Sequence, residues 1–439
     1  MKRIVLTAVL TAGCAAGYAQ DVYSLKQCIE TGLEHNYSIR IVRNEERIAA
    51  GNATRGNAGY LPTADLNAAI GGTVYNYQNR PADGGSTEHL TGVGTETAEA
   101  GLTVNWTAFD GFGIQAEYAR LKELQRMGEL NTRMTVEDFI AGIAGEYYNL
   151  VRQTIRLRNL RYAVSLSRER LRIVEERYSI GSVSRMDLQQ AQVDFNADSS
   201  MLLTQFEALH SSRVRLNELM ALDEVDRHIR IRDSVIDVNT MLDEHSLRDH
   251  MLSSNASLLA SARNKTLSEL DYRKALSRNY PYLRLNAGYG YTGTRTDLGA
   301  TDLQHRPGFN YGLTVGFNLF DGQNRRREQR NARIRIQNSQ LHMQQLELSL
   351  RASHSSLWMA YKNNLELWEL EKENLVVAQE NYTIAIERYR LGDLAGIELR
   401  EAQNSLLEAE ERRSIAEYNI KLCEISLLQL SGQVLNYLE

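Results

Sequence analysis

Residues 309 to 319 alternate without a break: Phe309, Tyr311, Leu313, Val315, Phe317 and Leu319 are apolar, while Asn310, Gly312, Thr314, Gly316 and Asn318 between them are polar or bare. A period of two places the two sets on opposite faces of a β-strand. The same pattern puts Leu102, Val104 and Trp106 against Thr103, Asn105 and Thr107, and Leu283, Leu285, Ala287, Tyr289 and Tyr291 against Arg284, Asn286, Gly288, Gly290 and Thr292. A weaker alternation carries Leu66, Ala68 and Ile70 on one face. Four strands are expected, at about 61–77, 99–109, 282–292 and 309–320. The Gly-, Thr-, Asp- and Asn-rich stretches at about 78–98 and 293–308 read as loops.

Elsewhere the period is seven. Leu150, Leu157, Val164, Leu171 and Tyr178 recur at heptad spacing, with Leu160 and Val174 between them, and Tyr361, Trp368, Leu375, Tyr382 and Tyr389 form a second series. Two further series follow: Leu188, Phe195, Leu202, Leu209 and Leu216, then the small-residue stripe Ala402, Ala409, Ala416, Cys423 and Leu430. Such spacing predicts helices packed as coiled coils. An interior proline costs a helix about 3 kcal/mol. All four prolines (Pro62, Pro81, Pro281 and Pro307) lie in the strand and loop blocks, so long unbroken helices are permitted elsewhere. At 1.5 Å per residue, the stretch from Phe112 to Tyr178 would reach about 100 Å.

These patterns occur twice. GLTVNWTAFDG at 101–111 answers GLTVGFNLFDG at 312–322, and RYSIGSVSRMDLQQAQ at 177–192 answers RYRLGDLAGIELREAQ at 388–403, both at an offset of 211. YLPTADLN at 60–67 aligns with YPYLRLN at 280–286 at an offset of 219, so the first copy carries a loop about eight residues longer. The expected organisation is a first repeat over 20–221 with a helical hairpin at 111–221, a linker at 222–245, and a second repeat over 246–439 with a hairpin at 322–431.

Composition narrows the class. Lys+Arg 50 against Asp+Glu 55 gives a net charge of −5, which excludes a strongly basic nucleic-acid binder. Lys2 and Arg3, an apolar run from Ile4 to Ala12, and Gly17-Tyr18-Ala19 read as a signal peptide over 1–19, so the chain is exported. Cys14 loosely resembles a lipoprotein cleavage site, although Leu10 sits one position too far upstream. No later stretch approaches the run of about 20 apolar residues that a spanning helix requires, so any membrane crossing falls to the strands. Four strands cannot close a membrane barrel, since the smallest closed ones use about 8 and an open edge leaves backbone groups unpaired in lipid. Helices of about 100 Å cannot fit a hydrocarbon core about 30 Å thick. A barrel shared between copies and continued by a helical tube meets both demands.

The duplicated order, the turns Phe109-Asp110-Gly111 and Phe320-Asp321-Gly322, and the two Tyr-x-x-Gly hairpin tips resemble the TolC-type outer-membrane efflux proteins over nearly the whole mature chain. The resemblance implies a mainly α fold with a transmembrane β-barrel, a homotrimer of twelve strands and twelve periplasmic helices. It also implies docking to a periplasmic adaptor and an inner-membrane efflux pump or ABC transporter, in multidrug export or type I secretion. The expected place is the outer membrane, projecting into the periplasm.

Candidate functional residues follow. Gly181 and Gly392 sit where a long helix must reverse, since glycine takes the left-handed conformation without steric cost. By resemblance their neighbours Arg177, Tyr178, Arg388 and Tyr389 lie at the closed aperture and the adaptor contact. Ser184 and Asp187 are spaced as a capping box; in the second copy Glu398 stands at the matching place and Asp393 is the expected cap, with a place at the aperture as the alternative role for all four. Asn105, Arg284, Asn286, Asn310 and Asn318 are expected to line a wet lumen. Nothing suggests catalysis: His245 and His250 are five apart and do not share a helical face, and no Walker loop or Gly-x-Ser-x-Gly is present. No cofactor or metal is expected. Cys28 and Cys423 could pair in an oxidising compartment, but the small-residue stripe around Cys423 favours a buried free thiol. A structural or adhesive envelope coiled coil would explain the heptads but not two pairs of alternating strands, and a diffusion porin would not need this much helix.

Overall fold

The computed structural model describes residues 22–297 and 302–438. The expected signal peptide and Cys14 lie outside the described residues. In chain order the elements are β1 (Val22–Tyr23), α1 (Leu25–His35), α2 (Tyr37–Asn52), β2 (Thr63–Asn79), β3 (Glu88–Phe109), α3 (Gly113–Ser179), α4 (Arg185–Leu219), β4 (Arg230–Ile231), α5 (Glu244–Ser254), α6 (Ala256–Ser277), β5 (Tyr282–Thr296), β6 (Leu303–Gly316), α7 (Asn324–Leu391) and α8 (Gly396–Leu430), with a 3₁₀ turn at Val434–Leu438. α3 runs 67 residues and α7 68, each without interruption. No described helix is long and apolar enough to cross a membrane. The chain divides into two compact units: one of residues 22–44, 130–259 and 344–438, the other of 45–129 and 260–343.

The strand-bearing unit holds an antiparallel sheet in the order β2-β3-β5-β6, so the two repeats meet where β3 pairs with β5. Directly opposed residues share a face. One face carries Leu66, Leu102, Tyr289 and Phe309 in a row, then Ala64, Val104, Ala287 and Tyr311; the other carries Thr63, Asn105, Asn286 and Gly312. The apolar face is bare: Leu66 is 80% exposed and Tyr311 82%. The outer edges of β2 and β6 have no partner strand among the described residues.

The strands differ from expectation. β3 begins at Glu88, β5 runs on to Thr296 and β6 spans Leu303–Gly316, so most of the two supposed loops is strand. Their Gly, Thr and Glu content reads as loop by composition, but the ladder pairs Thr95 with Thr73 and Thr296, and Glu96 with Gly72 and Arg295, which satisfies the backbone regardless of side chain. At the other end β6 stops at Gly316, and Phe317 to Phe320 leave the sheet.

The Phe-Asp-Gly turns link strand to long helix. Gly111 and Gly322 have φ of +74° and +66°, and the next residues, Phe112 and Gln323, are also left-handed at +72° and +66°. Asp110 Oδ1 accepts from the Ile114 amide at 3.0 Å and Asp321 Oδ2 from the Arg325 amide at 2.9 Å, so each carboxylate satisfies an orphan donor at the start of its helix.

In the helical unit, Ile29, Ile39, Ile140, Ile143, Tyr147 and Leu216 form the largest core, and β1 pairs in parallel with β4 across it in sequence. The segment expected as a linker contains β4 and ends at Asp243, whose carboxylate caps α5 through the Ser246 amide at 2.8 Å. The heptad positions Leu150, Leu157, Val164, Leu171, Tyr361, Tyr382 and Tyr389 are buried, as are Ala402, Ala409, Ala416 and Cys423 on α8. Cys28 and Cys423 are free thiols in separate clusters, so they do not pair. Burial, with the Asp233 charge nearby, pushes the Cys28 thiol up to about 12.

Candidate functional site: the paired hairpin tips

Both long helices end in the same backbone device. The Gly181 amide bonds to Tyr178 O at 3.0 Å and the Ser182 amide to Arg177 O at 2.8 Å; the Gly392 amide bonds to Tyr389 O at 3.1 Å and the Asp393 amide to Arg388 O at 3.0 Å. These nested bonds require a left-handed residue, and the two glycines supply it with φ of +73° and +84°. The next helix then starts four residues after each glycine, at Arg185 and at Gly396. At α4 the box is complete: the Asp187 amide donates to Ser184 Oγ at 3.2 Å and the Ser184 amide to Asp187 Oδ2 at 3.0 Å. The Ser184 hydroxyl and amide hold the Asp187 carboxyl below its ordinary value.

At α8 only half of that box exists. Ala395 occupies the cap position, and its amide donates to Glu398 Oε2 at 3.2 Å. Asp393 does not cap, contrary to expectation, because Arg388 claims it: Arg388 Nε donates to Asp393 Oδ2 at 3.1 Å and Nη2 to its carbonyl at 3.2 Å.

The matching arginine of the first copy behaves otherwise. Arg177 Nη2 donates to Tyr389 O at 2.9 Å, and the guanidinium lies 5.0 Å above the Tyr389 ring. It therefore joins the two hairpins and supplies a cation to the carbonyl end of α7. Tyr389 is 3% exposed and its hydroxyl pKa is raised by burial, whereas Tyr178 is 41% exposed.

Above the turns sits an ionic network that the heptad pattern did not reveal. Fully buried Asp198 of α4 accepts two hydrogen bonds from Arg400 of α8, both at 2.7 Å, with Gln403 Nε2 at 3.4 Å. That bidentate bond raises the Arg400 pKa. Arg170 of α3, also buried, pairs with Asp194 of α4. The available signal was two aspartates four apart, flanking Phe195 on the apolar stripe of α4, where solvated charge has no reason to be. Arg170, Arg177, Asp187, Asp194, Tyr389 and Arg400 border a cleft of about 640 Å³, whose apolar wall includes Met186 and Ile397.

The five polar strand candidates fall as follows. Asn105 lies opposite Asn286, and Asn286 opposite Gly312; Asn310 lies opposite Gly288 and Arg284 opposite Thr314, all on the polar face. The Asn286 side chain covers Gly312 and that of Asn310 covers Gly288, where a Cβ would collide with the amide. Arg284 stacks on Tyr282 at 4.6 Å. Asn318 lies past the end of β6 and does not belong to this face, because the ladder stops where Gly316 meets Tyr282.

The profile of the family described as "Outer membrane efflux protein" matches residues 29–222 and 247–433. Among solved structures, the fold is similar to the Campylobacter jejuni CmeC outer membrane channel, with a TM-score of 0.77, 16% identity, and coverage of 93% of this chain and 85% of that one. It is also similar to the open state of the Neisseria gonorrhoeae MtrE outer membrane channel (TM-score 0.72, 15% identity, 94% and 89% covered). The outer membrane protein VceC of Vibrio cholerae gives a TM-score of 0.72 at 17% identity, with 93% and 96% covered. At such identities the likeness speaks for the fold. No curated protein matches the chain.

Proposed function

Because the chain belongs to the outer membrane efflux protein family, and is thus an outer-membrane exit-duct subunit reaching into the periplasm, we propose that three copies complete one duct. The observation that carries this reading is the four-stranded sheet with one bare apolar face and two edges that have no partner strand among the described residues, joined by short turns to unbroken helices of 67 and 68 residues. Three copies bring twelve strands, an even number above the minimum of about 8. The apolar rows meet lipid, and Asn105, Asn286, Asn310 and Arg284 face the water-filled path.

The duct is passive. It has no energy-coupling motif, and the family is one of channels, so we assign it no catalytic role. Opening is driven from outside, by a periplasmic adaptor and an inner-membrane transporter that bind the open form more tightly than the closed one. The adaptor contacts the hairpin tips, around Tyr178, Gly181, Arg388 and the cleft beside Met186 and Ile397, and the Arg177 contact between hairpins resists opening. Ser184, Asp187 and Glu398 serve the helix starts that frame this end.

Planar-bilayer recordings of the purified protein test the reading. Channels of low conductance that rise when Arg177 is neutralised are expected. A protein that stays soluble and monomeric without detergent, with no channel activity, would sink it.

A further inference from the structure

Six of the first twelve residues of α7, Asn324 to Arg335, are arginines and one is acidic, whereas the matching stretch of α3, Gly113 to Leu124, has two basic and two acidic residues. The excess sits at the positive end of a helix dipole, where cations are disfavoured, in a chain whose net charge is −5. Arg325 is used locally, with Asp321 at 3.4 Å and the Arg278 and Leu319 carbonyls at 3.2 and 3.3 Å. Arg333 donates to Tyr272 Oη at 2.9 Å. Arg326, Arg327 and Arg330 are exposed and pair with no acid among the described residues.

Their position supplies the partner. α7 starts just after β6 leaves the sheet, and the helices, too long for a bilayer, must project from that end, so it is the periplasmic border of the membrane. Between strand and helix, Phe317, Leu319 and Phe320 are exposed at 52%, 84% and 77%, a run of bare apolar side chains directly after the last ladder pair of β6. By helix geometry Arg326 and Arg330 share a stripe within about 10 Å of the start of α7, and Arg327 lies beside it. An apolar foot followed at once by unpaired cations is the arrangement of an interfacial anchor.

We propose that Arg326, Arg327 and Arg330, below Phe317, Leu319 and Phe320, form a seat for anionic phospholipid headgroups in the periplasmic leaflet of the outer membrane. The apolar side chains enter the acyl region and the guanidiniums hold phosphate by charge-assisted hydrogen bonds. The seat belongs to the second repeat only, so it recurs once per subunit around the duct. The proposal rests on the outer-membrane placement of the sheet.

The test uses the full-length protein in nanodiscs of phosphatidylcholine containing a trace of spin-labelled phosphatidylglycerol or spin-labelled phosphatidylcholine, and reads the preference of the protein-bound fraction. Wild type should prefer phosphatidylglycerol, less so at high salt. R326Q/R327Q/R330Q should lower that preference at least about fivefold, the weight of one arginine near an anionic surface. The triple lysine variant should keep most of it, and R335Q, on the opposite side of the helix, should keep all of it. An unchanged preference in the triple glutamine variant overturns the seat, as does an equal loss in R335Q. Dissociation of the triple variant to the same extent with and without phosphatidylglycerol also overturns it, since the arginines would then serve contacts between copies. Failure of wild type to enter discs would overturn both the seat and the membrane placement.

Discussion

At the first hairpin tip Arg177 reaches across to the Tyr389 carbonyl and ring, while at the second Arg388 turns back onto Asp393 in its own loop. The backbones around them are alike: the same nested hydrogen bonds, the same left-handed glycine, the same offset of 211. The difference begins one residue past the glycine. Asp393 gives Arg388 a local acid, whereas Ser182 gives Arg177 none, so Arg177 is available to the neighbouring hairpin. A duplicated motif fixes the turn; a single unmatched side chain decides which of two equivalent arginines reaches the neighbouring hairpin.

The network above the tips is unequal in the same way, and breaking it should have the largest effect. Asp198 is fully buried under a bidentate arginine, and the position 211 residues on is Ala409. Removing one member of such a pair leaves an uncompensated charge, so Asp198→Ala should cost about 3–5 kcal/mol in chemical denaturation. Pairing it with Arg400→Met should recover much of that, and a cost below about 1 kcal/mol for the single variant would contradict the buried pair.

Next come the two arginines themselves. Arg177→Gln removes a charged hydrogen bond between hairpins, worth about 1.5–3 kcal/mol, and single-channel conductance should rise. Arg388→Gln removes an exposed pair worth about 0–1 kcal/mol, with little change in conductance. Equal effects of the two would erase the asymmetry.

A smaller effect separates the two helix starts by pH. Asp187 is held below its ordinary value in the fold, so its contribution is present above the unfolded value and is lost as pH falls through the lower folded one. The protection of the Ser184 amide, which donates to Asp187, measured by hydrogen exchange relative to the intrinsic rate at each pH, should therefore fall in acid. Replacing Ser184 by Ala, which copies the Ala395 arrangement, should lessen that acid response.

The smallest expected change tests the other ends of the returning helices. Ala221 and Gly432 occupy equivalent places, both left-handed at φ of +53° and +70°. Ala221→Gly should stabilise by no more than about 1 kcal/mol, because strain relief is offset by a looser unfolded chain. Gly432→Ala should instead destabilise, since a Cβ there would meet Arg133 Nη2 and Ser254 O, each at 2.9 Å. Thermal melts of both variants decide this.

Much of the fold was legible in the residues. Period two in Phe309 to Val315 and period seven in Leu150 to Leu171 each follow from one face being apolar, and the proline-free stretches permitted α3 and α7 their length. Strand ends were not legible, because Thr- and Gly-rich segments such as 88–98 lack alternation and owe their structure to a partner strand. At the tips, Gly181, Gly392 and the Ser184–Asp187 box could be read from local spacing. Asp393 was misassigned, since its choice between capping an amide and binding Arg388 depends on where the arginine points.

By itself, then, the sequence determined the duplication, the two periodicities, the reversals and the need for further strands, because each rests on interactions between residues close along the chain or on the hydrophobic pattern of a single element. Only the tertiary structure decided that β3 pairs with β5, that Asp198 meets Arg400, and that Arg177 rather than Arg388 crosses between hairpins. Those contacts join residues roughly 200 positions apart. Their partners are selected by packing, and no local spacing encodes which buried charge will find which arginine.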